Sequence, residues 1–386
     1  MSLPLTTCER FFSALVLIFA MLQAGLARER GPRVQVVCPA PPIPVKVEDK
    51  QVLVYELHVT NFDTVPLTLK KLEVFADADK SRPLKVIADA ALSAIITEAE
   101  TVSGAKDSQT IGAAKRAVIF LWIELGSDKQ TPVGLSHRMV FVAGVPSEGR
   151  TPTETTLEDF PVALSQDAVP LLGPPFAGGV WLAGDGSSND SGHRRSIFAI
   201  DGHIYSPERF AIDWVKVGPN GDSHDGTARN ENWWGYGEPI LAVADGEVTQ
   251  IVDGIPENTP RVLPKPVTLD NIAGNYIIVR IAANRYVSFV HLQPGSMKVR
   301  VHDHVRRGDI LARLGNSGNA TGPHLHFQMT DRNSVLQSEG VPFIFEKFTY
   351  LGPGSDYELD KHPSIPRERS IPGDNDVVEF IPAKKQ

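Results

Sequence analysis

Cysteine is nearly missing from this chain: Cys8 and Cys38 are the only two among 386 residues. A disulfide framework is thereby excluded, and the fold must be held by its cores. A basic surface is missing as well. Acidic residues outnumber basic ones 46 to 38, the net charge is -8, and no long run of Lys and Arg occurs. Nucleic acid is therefore not an expected partner. Beyond the N-terminal thirty residues no apolar run approaches the roughly 20 residues that a membrane span requires. No repeat of fixed period and no fibre-like low-complexity tract is evident. What remains is 42% hydrophobic and 22% charged, the composition of a globular protein, with length for two domains plus tails.

The N-terminus reads MSLPLTTCERFFSALVLIFAMLQAGLARER. Residues Phe11 to Leu22 are apolar except Ser13, and Gly25 and Ala27 precede Arg28. This is the layout of a secretory signal peptide over residues 1–27, cut after Ala27. Glu9 offsets Arg10 in the leading segment, and an uncleaved anchor is the competing reading. Export to the periplasm or the extracellular space, with no stable membrane span after cleavage, is the expectation. No cysteine follows the apolar core, so a lipid-anchored cysteine is not available there. Cys8 would leave with the leader, and Cys38 is then a buried thiol or an intermolecular partner.

The chain reads as mainly β. Residues 34–150 carry strand-like runs QVLVYELHVT, LTLKKLEVF, AVIFLWIEL and HRMVFVAGV, punctuated by Gly, Pro, Asn and Asp, which suggests a β-sandwich-like domain. In the first run Leu53, Tyr55, Leu57 and Val59 share one face and Glu56, His58 and Thr60 the other. Residues 76–96 are ambiguous and could hold a helix. His58 and His137 have no companion at ligand spacing and read as packed or exposed strand residues. Residues 151–194, rich in Thr, Pro, Gly, Ser and Asp, read as a linker and surface loop. Residues 195–350 show short β segments with sharp turns, an antiparallel sheet domain. Residues 351–386 read as a polar, loosely ordered tail.

The stretch Gly322-Pro323-His324-Leu325-His326-Phe327 places two histidines one residue apart. On a strand, His324 and His326 share one face while Leu325 and Phe327 share the other, so the imidazoles can face a groove above an apolar core. His291 closes RYVSFVHL, and Asp213 interrupts the apolar RFAIDWV. A carboxylate in such a strand is costly unless paired or bound to a cation.

Together with GYGEPILAVADGEV (235–248), VRRGDILARLGNSGNATGPHLHF (305–327) and SEGVPFIFEKF (338–348), these segments resemble the M23 family of zinc metallopeptidases, of the lysostaphin and LytM type, over residues 195–345. The resemblance implies an antiparallel β fold and a zinc endopeptidase that cuts peptides of bacterial peptidoglycan. It also implies Asp213 and His326 as zinc ligands, with His291 and His324 handling the proton and the developing oxyanion.

One position departs from the family. The first ligand there is a His four residues before the Asp, and Arg209 stands in that place. Arginine has no lone pair to offer a metal. Three explanations are open: His193, His203 or His224 supplies the third ligand; zinc is held weakly with water filling the gap; or the guanidinium pairs with Asp213 and replaces the metal. The last leads to a rival function, a catalytically silent domain that binds cell wall or regulates a partner cell-wall hydrolase. A duller third reading makes the N-terminal sandwich the binding unit.

The pair His302 and His304, and His362, read as surface residues. Trp233 and Trp234 read as packing at the sheet edge, with a groove wall as the alternative. Residues 254–271, stiffened by four prolines, form a candidate substrate gate or docking loop.

Overall fold

The computed structural model describes residues 31–77, 79–98, 109–126, 131–144, 153–226, 229–263, 266–354 and 364–381. The expected leader over residues 1–27 with Cys8, and His362 in the tail, lie outside them. Among the described residues no helix is long and apolar enough to cross a membrane.

The protein is mainly β, with a sandwich-like N-terminal region and a large antiparallel sheet after it. Its two compact units do not follow one cut in the sequence. The first comprises Met1–Val37, Leu57–Ile119 and Ser136–Pro161, and the second Cys38–Glu56, Phe120–Leu135 and Val162–Gln386. Expected boundaries at 150 and 195 are thus corrected: residues 38–56 and 120–135 belong with the C-terminal unit. One of the divisions falls within the strand Lys50–Asn61.

In the first unit, Leu67–Ala76 pairs antiparallel with Lys85–Ala88, and Ile96–Glu98 with the start of Arg116–Leu125. Leu57, Val59, Leu69, Leu72, Val74, Ile119 and Phe141 are buried. The ambiguous stretch 76–96 holds the strand Lys85–Ala88 and one short helix, Ala90–Ser93. His137 is buried with its ring nitrogen Nδ1 3.0 Å from the Phe160 carbonyl, and burial pushes its pKa down to about 4.

The second unit is built on an eleven-stranded sheet. Its strands are β1 (Leu171–Leu172), β2 (Gly179–Gly184), β3 (Ile212–Lys216), β4 (Gly246–Val252), β5 (Asn275–Ala282), β6 (Arg285–Leu292), β7 (His304–Val305), β8 (Leu325–Thr330), β9 (Ile344–Pro353), β10 (Ile365–Ser370) and β11 (Asp376–Phe380). They lie in the order β1-β9-β11-β2-β3-β8-β6-β5-β4-β7, with β10 on β9. Gly308, at φ +92°, makes the turn ahead of Ile310–Arg313 that HVRRGD foreshadows.

Two expectations fail here. Residues 151–194 are not a linker: β2 lies beside β3, and helix α1 (Gly192–Arg195) follows it. Residues 364–380 are not a loose tail, because β11 pairs with β2 and β9 and buries Val377, Val378 and Phe380. Phe380 packs 5.3 Å from Trp214 and 5.5 Å from Phe345, ring centre to ring centre. The apolar side chains of DVVEF decide the matter against the polar and Pro-rich residues around them, since burying one such side chain is worth about 1.5–3 kcal/mol.

Candidate metal centre

The sheet itself brings the acid and one imidazole together. Asp213 on β3 and His326 on β8 are directly opposed in an antiparallel register, and Val290 of β6 opposes His326 from the other side. Side chains alternate, so Ile212, Trp214, Leu325 and Phe327 point into the core, where all are fully buried, and Asp213 and His326 point to the other face. Phe327 meets Phe289 edge-on at 5.5 Å below the site. His324 sits two residues before His326, and its ring lies 4.8 Å from that of His291.

His193 completes the group. It lies on α1, whose first turn is capped by the Ser191 hydroxyl accepting from the Arg194 N–H at 3.2 Å. Its Nε2 is 3.5 Å from Asp213 Oδ1, and its ring stands perpendicular to that of His326 at 4.7 Å. One donor atom each from His193, Asp213 and His326 can be chosen so that all lie within 4.8 Å of one another. The other two candidates are elsewhere. His203 is exposed beside Tyr205, and His224 accepts from the Gly226 N–H, with its Nε2 against Arg261.

Hydrogen bonds at the far side of each ring fix which nitrogen carries a lone pair. A carbonyl oxygen can only accept, so His193 donates its Nδ1–H to Asp185 O (2.9 Å), His324 to Gly322 O (2.8 Å) and His291 to Ser317 O (2.8 Å). In each neutral ring Nε2 is then the bare nitrogen. For His193 and His324 it lies 3.5 and 3.4 Å from the Asp213 carboxylate. His326 is held the other way round. Gln328, fully buried, spends its NH2 on Val335 O and turns its oxygen to His326 Nε2 at 2.7 Å, which leaves Nδ1 facing Asp213 Oδ1 at 2.9 Å. Ligand atoms of His193, Asp213 and His326 thus converge, with His324 Nε2 beside the Asp213 carboxylate, an arrangement that demands protons or a cation between them.

The electrostatics carry the same sign. Burial alone would raise the Asp213 pKa, yet His324, His193 and His326 hold it well below the usual carboxylate range. Burial alone would lower His326, but the hydrogen bond and charge of Asp213 lift it to about 9. Burial drives His291 well below its ordinary value, so this ring stays neutral. His291 also adopts φ +65°, a left-handed conformation that a residue other than glycine takes at some cost in strain. The cleft above has a volume of about 350 Å³ and is lined by Glu208, Phe198, Ile272 and Leu336 among others.

Arg209 does not enter this cleft. It lies in the turn closed by Ala211 N–H to Glu208 O, before β3 begins at Ile212, so it does not share a strand face with Asp213. Its guanidinium donates to both oxygens of Glu56 (2.7–3.1 Å), to Gly340 O (2.6 Å) and to Glu339. Of the three explanations, the one that pairs its guanidinium with Asp213 does not hold, because the fully buried Glu56 carboxylate takes it up.

Glu56, Arg194 and Gln328 are the residues that sequence reasoning misses. Glu56 gives the same signal as Asp213, a carboxylate within an apolar strand. Of the remaining features, His302 is exposed with Nδ1 near Glu247, and His304 is exposed. Trp233 packs on Gly322, where a Cβ would stand 2.5 Å from the indole, and so supports the turn into His324. In the candidate loop, Asn258 is tied to the segment before His324, its amide donating to Gly318 O and Ala320 O at 2.7 and 2.9 Å.

Comparison with known proteins matches residues 231–338 to Peptidase family M23. The chain is 27% identical over 105 residues to an uncharacterized metalloprotease of Buchnera aphidicola subsp. Baizongia pistaciae, covering 27% of this chain and 23% of that protein. It is 28% identical over 92 residues to the peptidoglycan DD-endopeptidase ShyC of Vibrio cholerae, covering 24% and 17%. The matches span about a fifth of the length of these relatives. Among solved structures, the catalytic domain of a prophage-encoded M23 protein, EnpA, from Enterococcus faecalis aligns at 18% identity and a TM-score of 0.26, over 45% of this chain and 93% of that one. The matched span contains His291, His324 and His326, while His193, Arg209 and Asp213 precede it, and it is in this preceding segment that the ligand pattern departs. On its sequence over residues 231–338, the chain carries a Peptidase family M23 domain.

Proposed function

We propose that this protein is an exported zinc-dependent endopeptidase acting on the peptides of bacterial peptidoglycan, with His193, Asp213 and His326 as the metal ligands. The observation that carries the reading is the convergence of His193 Nε2, Asp213 Oδ1 and His326 Nδ1 within 4.8 Å. Each imidazole has its second nitrogen committed to an oxygen. Two imidazoles and a carboxylate suit zinc, which leaves a coordination position open in catalytic sites. The relative named a peptidoglycan DD-endopeptidase supports the substrate class, and the apolar segment Phe11 to Leu22 supports export.

Zinc, when bound, supplies Lewis acidity to a scissile carbonyl and to the attacking water. The protein's own groups do the rest. His291, neutral and with Nδ1–H anchored on Ser317 O, presents a bare Nε2 that can take a proton from water and return it to the leaving amine. His324, anchored on Gly322 O with its ring 4.8 Å from that of His291, can steady the charge that develops on the carbonyl oxygen when its Nε2 carries a proton to donate. Phe198, Ile272 and Leu336 narrow the access of bulk water. The purified mature protein should hold one zinc per chain and release peptide fragments from peptidoglycan. The His193→Ala and His326→Ala variants should lose both. Protein free of zinc that leaves peptidoglycan intact would overturn the reading.

A further inference from the structure

Next to His193 in α1 stands Arg194, and it points the opposite way. Its side chain is 1% exposed and donates to Glu56, to Tyr55 O at 2.8 Å and to Leu121 O at 3.5 Å. Glu56 is fully buried and also takes three contacts from Arg209, which in turn reaches Glu339 and Gly340 O. Two buried guanidiniums are therefore balanced by the fully buried Glu56 and by Glu339, whose side chain is 15% exposed. A buried guanidinium held this way has one permitted place, because any shift strands a charge at a cost of several kcal/mol. Helix α1 has four residues, far too few to hold its own conformation. Only outside anchors can fix the direction in which His193 projects.

We propose that Arg194, Glu56 and Arg209 form a buried clamp that positions His193 as a ligand. This rests on the metal-centre reading above and deepens it. Arg209 offers no lone pair to the metal; it shares Glu56 with Arg194 and so locks the strand carrying Glu56, the turn before β3 and helix α1 into one arrangement. Arg194 anchors the helix on one side while Asp185 O holds the His193 ring on the other. The three are positioning residues, since none of them touches the donor atoms.

The test is the zinc dissociation constant of the full mature chain, measured by competition with a chromophoric chelator, alongside thermal unfolding of the zinc-free protein. Arg194→Met should weaken zinc binding by about ten to a hundredfold, the range for supporting shells around metal ligands. Because single removal can unfold the chain, the decisive variant is Arg194→Met with Glu56→Leu and Arg209→Met, an apolar replacement of the kind that buried ion triads tolerate. It should unfold cooperatively, bind zinc about ten to a hundredfold more weakly, and add nothing further once His193→Ala is present. Wild-type zinc affinity in a folded triple variant would overturn the clamp. So would an equal further loss in the His193→Ala background, which would mark a general structural effect. A wild type that binds no zinc would instead remove the metal-centre reading on which the clamp depends.

Discussion

Asp213 and Glu56 are both carboxylates set in apolar strands, and the protein treats them in opposite ways. Glu56 is fully buried and surrounded by guanidiniums, which are permanently charged and rigid, so its charge is cancelled for good. Asp213 has a side chain 25% exposed to the cleft and faces imidazoles, which can give up their protons. The first arrangement stores no reactivity and fixes geometry. The second leaves an anion beside exchangeable protons, where a cation can displace them. The choice of partner, Arg or His, separates a fixed charge pair from a site open to protons or a cation, at two positions that sequence alone presents alike.

The comparison is broken most directly by neutralising each carboxylate. Asp213→Asn should abolish measurable zinc binding, a loss of more than about a hundredfold since it exceeds the cost of disturbing a supporting residue, while the zinc-free protein still unfolds cooperatively in urea. Glu56→Ala should instead cost about 3–5 kcal/mol of stability, because two buried guanidiniums lose their counter-charge. If Asp213→Asn destabilised the zinc-free fold more than Glu56→Ala did, the division between scaffold and chemistry would not stand.

Much of the candidate site is legible in the residues themselves. The alternation in HLHF places two imidazoles over an apolar pair, and the isolated Asp213 asks for a cation or partner. The ordered segments over residues 195–345 point to the family. The third proposed ligand is not legible, since His193 lies 20 residues from Asp213 while His203 and His224 lie only 10 and 11 away, and only helix placement brings His193 to the carboxylate. Arg209 misleads because strand periodicity, extended back past Ile212, runs into a turn. The strand β11 is hidden by the polar, Pro-rich residues that precede it, although Val377, Val378 and Phe380 are wholly apolar and buried.

A third titratable group, in the first unit, sharpens the contrast. His137 is fully buried, and its pKa falls to about 4 because burial disfavours the charged ring. Its ordinary value is about 6.5. The unfolded chain therefore binds this proton more tightly, and stability falls as pH drops from about 6.5 to about 4, by up to about 3 kcal/mol. Below both values the group adds no further slope. Urea unfolding of the zinc-free protein across this range should show the loss, and His137→Gln should flatten it. An unchanged slope in the variant would show that His137 accepts its proton within the fold after all.

The smallest effect concerns how the partner of Asp213 is kept oriented. Gln328 is fully buried, and its oxygen accepts from His326 Nε2 while its NH2 is spent on Val335 O. That contact assigns the proton to Nε2 and keeps Nδ1 for Asp213 or a metal. Gln328→Leu removes the assignment without touching a donor atom, so zinc affinity should fall by about ten to a hundredfold. Gln328→Glu keeps an acceptor at the same place and makes it stronger, so zinc affinity should match or exceed that of the wild type. An equal loss in both variants would mean that Gln328 acts through packing with Val335, and the tautomer of His326 would then be set by Asp213 alone.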